Sequence, residues 1–343
     1  MSHHGVVTRV FVAAGAVLLL AGCGSSTSTR LVPGHGRLVY VAGYDAAHSS
    51  VWVARANGAH PRRLGRGSLA VLSPDGGTVA VQRRGGIYLL STAGGQARLL
   101  TRQRLRPEAW TPDGKAIVAT KARGDAVVRL VAIDRTSGRT RTIASGSLYG
   151  FSFSPNGSEI AYSRAPSATI NGICGDQFDV YTAKLSGGEA KRLTRDGVSA
   201  FPIWGAEGIA FSHFPGATQD DCASPGIWTM HGDGSHVTHV VDRSPAQFAT
   251  VTNRYGLEPL GWLDATHILV GIRSEWGTQG AVLDTRTTDV RTLADDYVEK
   301  ASRDGRYAVG SGGDEGVDLT IIRISDGHKL FIRHNACCPD WNR

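Results

Sequence analysis

Lysine- and arginine-rich runs, long apolar segments beyond the amino terminus, and the common nucleophile and metal signatures are all missing from these 343 residues. Without a basic run that could track a phosphate backbone, the net charge of +7 does not point to a nucleic-acid partner. No Ser has Gly two residues away on both sides, so there is no nucleophile elbow of an α/β-hydrolase. No His-Glu-x-x-His, Cys-x-x-Cys or Gly-x-Gly-x-x-Gly occurs either, so the sequence offers no zinc-peptidase, redox or dinucleotide motif, and no metal or other cofactor is expected. What the chain has in excess is glycine, with 44 residues, beside 41% hydrophobic and 20% charged residues. That composition belongs to a globular, turn-rich protein and not to a disordered or long-helical one.

The amino terminus reads as an address and an anchor. Val10 to Leu20 is an apolar run behind one firm positive charge, Arg9, and is too short to span about 30 Å of hydrocarbon. It ends in Leu20-Ala21-Gly22-Cys23, which resembles a bacterial lipobox: small residues admit the peptidase, and the Cys23 thiol receives the lipid. Gly24 to Thr29 is small and polar, as a flexible tether would be. Residues 1–22 are therefore expected to be a lipoprotein signal peptide, 23–33 a lipidated Cys with its tether, and 34–343 a single domain. The expected location is extracytoplasmic, on a bacterial membrane.

The remainder repeats. Leu72-Ser73-Pro74-Asp75-Gly76, Trp110-Thr111-Pro112-Asp113-Gly114 and Phe153-Ser154-Pro155-Asn156-Gly157 carry one turn signal, which recurs in degraded form at Trp204 to Gly208, Trp262 to Asp264 and Ala301 to Gly305. Pro presets the first turn φ, the Asp or Asn side chain closes on the backbone, and Gly takes the positive φ. A short apolar strand follows each turn, for example Val79-Ala80-Val81 or Ile268-Leu269-Val270. A third strand comes next (Ile87 to Leu90, Val128 to Ile133, Val180 to Ala183, Ile227 to Met230, Ala281 to Asp284, Leu319 to Ile324), and then a fourth, as at Arg98-Leu99-Leu100. Four strands per unit describe a propeller blade.

The amino-terminal strands around Val39, Val53 and Leu64 lack a first strand of their own, whereas Cys337-Cys338-Pro339-Asp340-Trp341 matches the first-strand entry Pro107-Glu108-Ala109-Trp110. The expectation is an all-β propeller of seven four-stranded blades, six being the alternative, closed by pairing of the carboxy-terminal strand with the first blade. The Trp/Phe-Ser-Pro-Asp/Asn-Gly unit with its Ile-Ala-Tyr-like strand and terminal Arg-Leu-Thr resembles the TolB-type propeller repeat, which also builds the propeller of dipeptidyl-peptidase-like hydrolases. The resemblance covers residues 33 to 343 and implies the propeller fold.

Long insertions fall on the face opposite the tight turns: Arg164 to Phe178, Ser212 to Gly226, Val241 to Gly261 and Arg273 to Gly280. Variable loops on a rigid scaffold are where binding is usually built. Trp110, Trp204, Trp262 and Trp341 share the first-strand position and Trp52 and Trp228 the third, so all six read as packing between blades. Trp276 fits neither set, and with Arg273 and Glu275 it heads the candidate ligand contacts; Arg254 and Tyr255 come next, then Asp220 and Asp221. His231, His236 and His239 read as a surface turn, and one carboxylate per turn at Asp75 and Asp113 is too few for calcium. Export places the cysteines in an oxidising compartment, and Cys174 and Cys222, in corresponding insertions of neighbouring blades, are the expected disulfide. Cys337 and Cys338 then remain thiols or form a vicinal bridge.

The function expected is that of a monomeric, lipid-anchored binding or scaffolding module for a protein, peptide or cell-envelope polymer, and not an enzyme. The alternative is an envelope enzyme, lyase- or lactonase-like, with its site in the central channel. Against that alternative, the expected first strands offer no matched set of His, Asp and Glu converging on an axis. Mass spectrometry of the mature protein checks the anchor: a diacylglycerol-modified Cys23 as the first residue is the expected result, and an unmodified Cys23 in a detergent-free aqueous fraction would refute it.

Overall fold

The computed structural model describes residues 36–43, 49–123, 126–165, 178–214, 225–242, 256–274, 277–294, 297–302, 304–312 and 318–342. Every regular element among them is a β-strand. Strands β1 (Arg37–Ala42), β2 (Ser50–Arg55) and β3 (Arg62–Arg66) are followed by a sheet of β4 (Leu69–Leu72), β5 (Thr78–Arg83), β6 (Gly86–Ser91) and β7 (Arg98–Thr101). A seven-stranded sheet comes next, made of β8 (Arg106–Trp110), β9 (Ala116–Arg123), β10 (Ala126–Asp134), β11 (Thr140–Phe153), β12 (Glu159–Ala165), β13 (Asp179–Lys184) and β14 (Lys191–Arg192). Three four-stranded sheets complete the order: β15 (Ser199–Gly205) to β18 (Thr238–Val241) through β16 (Gly208–His213) and β17 (Gly226–Met230); β19 (Gly256–Trp262) to β22 (Val290–Ala294) through β20 (His267–Ser274) and β21 (Gly277–Asp284); and β23 (Tyr297–Ala301) to β26 (Lys329–Arg333) through β24 (Tyr307–Gly312) and β25 (Asp318–Arg323). The last strand, β27 (Ala336–Trp341), does not extend the sheet before it but pairs antiparallel with β1, placing Trp341 opposite Leu38 and Ala336 opposite Ala42.

One feature departs from the expected row of separate four-stranded units. Strand β11 runs unbroken for 14 residues, pairing with β10 along its first part and with β12 along its second. The connecting residues Ala144 to Leu148 form a tight, continuous strand because Gly146, at φ 128°, turns the chain outward without a loop.

The tight turns form as the sequence suggests. Gly76, Gly114, Gly157 and Gly305 take φ of 67–68°, a region where a side chain is strained. In each turn the glycine N–H donates to the carbonyl three residues back, at 2.8–2.9 Å, as from Gly76 to Ser73 or from Gly305 to Ser302. Asp113 accepts from the Thr111 hydroxyl at 2.7 Å and from Lys115 N at 3.0 Å, so this carboxylate is committed to closing its turn.

Strand composition explains the packing. Val79, Ala80 and Val81 of β5 are all fully buried, as are Ile117, Val118 and Ala119 of β9 and Ile268, Leu269 and Val270 of β20. A run buried on both faces belongs to a strand with a sheet against each side, and so shows no alternation of apolar and polar residues. Neighbouring sheets accordingly share their cores. Val39 and Val51 pack with Val79 and Leu90, Leu257 and Ile268 with Ala210 and Ile227, and Leu38 and Trp341 with Val309 and Ile321. The outermost strands are charged instead, with exposed Arg62 and Arg63 on β3 and Lys191 and Arg192 on β14, which discourages edge-to-edge pairing with another chain.

Strand β27 is tied on three sides. Beyond its ladder to β1, the Trp341 indole N–H donates to the Ala301 carbonyl of β23 at 3.1 Å, and Asp340 Oδ2 accepts from Leu72 N of β4 at 2.8 Å. Asp340 also pairs with the Lys300 ammonium of β23. Cys337 and Cys338 in this strand are joined as a vicinal disulfide, Cα–Cα 3.7 Å. Trp341→Ala is expected to destabilise the fold by about 3–5 kcal/mol, since it removes a buried indole and its hydrogen bond. Deleting residues 337–343 should lower the thermal midpoint further still, and a midpoint unchanged by the deletion in a melting experiment would refute this account of β27.

Candidate functional site

A cavity of about 720 Å³ is lined by residues from β4, β8, β9, β10, β11, β19, β23 and β27. Its wall is mostly apolar and aromatic, including Leu72, Trp110, Leu148, Phe151, Leu260 and Trp341. Four ionisable side chains, Glu108, Glu299, Lys300 and Asp340, reach it from three strands. The sequence-based expectation that the first strands hold no acidic set is therefore corrected. A cavity of this size and mixed lining is the form of a ligand pocket.

The two glutamates are set by one device used twice. Pairing of β8 with β9 slips between Pro107 and Ala109, and pairing of β23 with β24 slips between Val298 and Lys300, so that Glu108 and Glu299 are the extra residues of two β-bulges. A bulge re-aims the side chain it carries, here toward the cavity. Each carboxylate accepts from a hydroxyl on the next strand: Thr120 Oγ1 to Glu108 Oε1 at 2.7 Å, and Ser311 Oγ to Glu299 Oε1 at 2.8 Å. Burial raises the pKa of both, opposed in part by those hydroxyls and by the neighbouring cations Arg106 and Lys300. Arg106 Nε lies 3.4 Å from Glu108, and Lys300 is spent on Asp340. Ser152, also in the lining, has a buried hydroxyl with no hydrogen-bond partner.

A signal for these residues does exist in the sequence. Glu108 stands six residues before Gly114 and Thr120 six after it; Glu299 and Ser311 flank Gly305 in the same way. Aligning the repeats on their turn glycines therefore exposes the pair, whereas a search for Trp-bearing strands passes over it, because Ala301 occupies the Trp position beside Glu299.

The residues singled out on the insertion loops are placed differently. Cys23, Cys174, Cys222, Asp220, Asp221, Arg254, Tyr255, Glu275 and Trp276 lie outside the described residues. Of Arg273 only the backbone is described, in β20 opposite Gly256 and Thr278. The six other tryptophans do sit at packed positions, with Trp110 and Trp341 only 5% exposed and Trp52, Trp204, Trp228 and Trp262 half-buried against the cores between sheets. His231 and His236 face each other at 4.2 Å across an exposed turn. Elsewhere on the molecule, Trp228 lies between His213 and His239, with ring centroids at 4.6 and 5.3 Å. No group of three or more metal-ligating side chains occurs among the described residues, and no helix among them is long and apolar enough to cross a membrane.

No protein-family model matches the sequence, and no curated protein matches it. Solved structures do. TolB from Acinetobacter baumannii aligns with a TM-score of 0.54 and 17% identity over 90% of this chain and 67% of its own. The β-propeller domain of the Trilobed protease from Pyrococcus furiosus aligns at 0.62 and 12% identity over 87% and 95% of the two chains. An oligogalacturonate lyase from Vibrio parahaemolyticus aligns at 0.57 and 14% identity over 89% and 81%. At these identities the likeness speaks for the fold alone, and the fold is a TolB-like β-propeller. The expectation that the chain is not an enzyme is corrected by the same neighbours: a lyase carries this architecture over most of both chains, so the missing hydrolase domain and metal motifs do not set catalysis aside.

The two raised glutamate pKa values have a consequence for stability. The folded protein holds these protons more tightly than the unfolded chain, so the stabilisation is complete below the unfolded carboxyl pKa and is lost as pH rises through the raised folded value. Glu299→Gln removes the cost of the buried charge at neutral pH. Its melting temperature is expected to exceed that of the parent by about 1–3 °C near pH 7 and to match it near pH 4, as read by differential scanning calorimetry. A destabilised variant at pH 7 would contradict the assignment.

Proposed function

We propose that this protein is an extracytoplasmic binding module: a propeller of seven four-stranded blades, closed by β27, anchored to a bacterial membrane through lipid on Cys23 and receiving its ligand in the cavity inside the innermost strands. The observation that carries the reading is the cavity itself, whose apolar and aromatic wall surrounds a few fixed polar groups. Two further features support the closed ring. Strand β27 pairs with β1 while bonding to β4 and β23, and each sheet shares a core with the next, as Leu38 and Trp341 do with Val309 and Ile321. In this reading β11 serves both as the last strand of the third blade and as the first of the fourth. The signal peptide is residues 1–22 and the tether 23–33, and the body acts as a monomer. The ligand is a protein, peptide or cell-envelope polymer, and the insertion loops with Trp276, Arg273, Glu275, Arg254, Tyr255, Asp220 and Asp221 form the rim it passes, held by a Cys174–Cys222 disulfide.

A second reading has an observation in its favour. Glu108 and Glu299 are two buried carboxyl groups whose pKa values are raised by burial, the direction that an acid/base enzyme with its site in the channel would use. It makes the same cavity the place of chemistry as well as of binding.

Site-specific photocrosslinking in the native envelope tests the binding reading. A photoreactive residue replacing Ala109 or Ser152, both in the cavity wall, is expected to capture a ligand, and one replacing Phe331 on outer strand β26 is expected to capture none. Capture from position 276 with none from 109 or 152 would move the site to the loops and overturn the cavity reading.

A further inference from the structure

The charges in the cavity wall are unequal in one respect. Asp340 is paired with Lys300, and Glu108 has Arg106 at 3.4 Å, whereas Glu299 forms no ion pair and is held only by the Ser311 hydroxyl. It is the one acid of the lining without a cation of its own. Resting on the reading of the cavity as the ligand site, we infer that its occupant is a peptide segment carrying a lysine or arginine side chain, with Glu299 as the carboxylate that receives the cation.

The surroundings fit that side chain. Leu260 and Phe151, only partly buried, offer apolar surface to an aliphatic stem, which long cationic side chains bury readily while their heads seek a charged partner. Trp110, Phe151 and Trp341 add aromatic side chains to the wall, and aromatic rings attract cations. The protein already uses this contact, since the Arg135 guanidinium lies 5.3 Å from the Trp110 ring centroid and that of Arg333 lies 4.2 Å from the ring of Trp52. A polysaccharide would ask for many hydroxyl partners, and the wall is poor in them. Thr120 is engaged by Glu108, and the Asn342 side chain accepts from Arg37 N at 2.8 Å and donates to Pro74 O at 3.4 Å.

Proton balance gives the inference its own signature. Burial holds the Glu299 carboxyl toward its neutral form in the unliganded cavity. An arriving ammonium or guanidinium group stabilises the carboxylate, so affinity falls as pH drops and the carboxylate takes up a proton. The other charges near the group are Lys300 on its own strand, Asp340 on β27 and Glu108 on β8.

The test uses purified full-length protein in detergent with a capped hexalysine peptide, a capped hexaglutamate peptide and a glucosamine tetramer, measured calorimetrically in two buffers of different ionisation enthalpy. Hexalysine is expected to bind about tenfold or more tightly than hexaglutamate near pH 7, with weakening toward pH 4.5 as the Glu299 carboxylate takes up a proton. Glu299→Gln, checked for an intact fold by circular dichroism, should remove most of that preference and its pH dependence. Equal affinity for the two peptides, a preference unmoved by Glu299→Gln, or tighter binding of the glucosamine tetramer would overturn the inference. Ala109→Trp, which fills the cavity, separates this failure from that of the broader reading. If it abolishes binding that shows no charge preference, the cavity stands as the site and the cationic ligand falls; if binding survives it, the cavity itself is not the site.

Discussion

Burial of the second strand of each sheet on both faces is the constraint from which the rest follows. A strand such as Val79-Ala80-Val81 or Ile268-Leu269-Val270, fully buried throughout, is stable only with a sheet packed against each side. Each sheet thereby needs two neighbours, and a row of such sheets leaves two unsatisfied faces unless its ends meet. Strand β27 pairs with β1, and Leu38, Tyr40 and Trp341 share a core with Val309 and Ile321 of the sheet before it. A shared core also explains why the chain tolerates so little side-chain variety in its second strands while its loops differ widely in length.

The same packing creates the cavity. Side chains of β4, β8, β9, β10, β11, β19, β23 and β27 surround a volume of about 720 Å³. Bulges at Glu108 and Glu299 then turn two carboxyls toward that volume, and hydroxyls on the adjacent strands fix them. A carboxyl in such a place is a strained resource for the protein: it costs folding free energy when ionised, and it gains most from a partner that brings a positive charge or takes a proton. Binding and acid/base chemistry are thus two uses of one physical situation.

The departure at β11 shows how far repeat logic carries. The turn signals mark where each first strand ends, because a Ser-Pro-Asp-Gly turn is closed by atoms within five residues of one another. They say nothing about how one repeat enters the next. Between the third and fourth repeats that passage is a continuous strand with Gly146 at its bend, a choice set by the distance between two sheets and by the side chains packed there, Ala144 and Leu148 among them.

The sequence by itself determined the local geometry: the positive-φ glycines at 76, 114, 157 and 305, the apolar second strands, and the third strands, which lie within a few residues of their expected limits. These depend on steric preference and hydrogen bonding among near neighbours, and residue type suffices to read them. It also carried the match between Cys337-Cys338-Pro339-Asp340-Trp341 and the other first strands, although that strand's partner lies at the opposite end of the chain. Only the tertiary structure decided the candidate site. Glu108 and Glu299 belong to different sheets, distant in the chain, and no pattern of spacing between them has meaning until the sheets pack around a common cavity. Their chemistry depends equally on that packing, since the shift in each carboxyl comes first from burial, a property that no residue possesses alone.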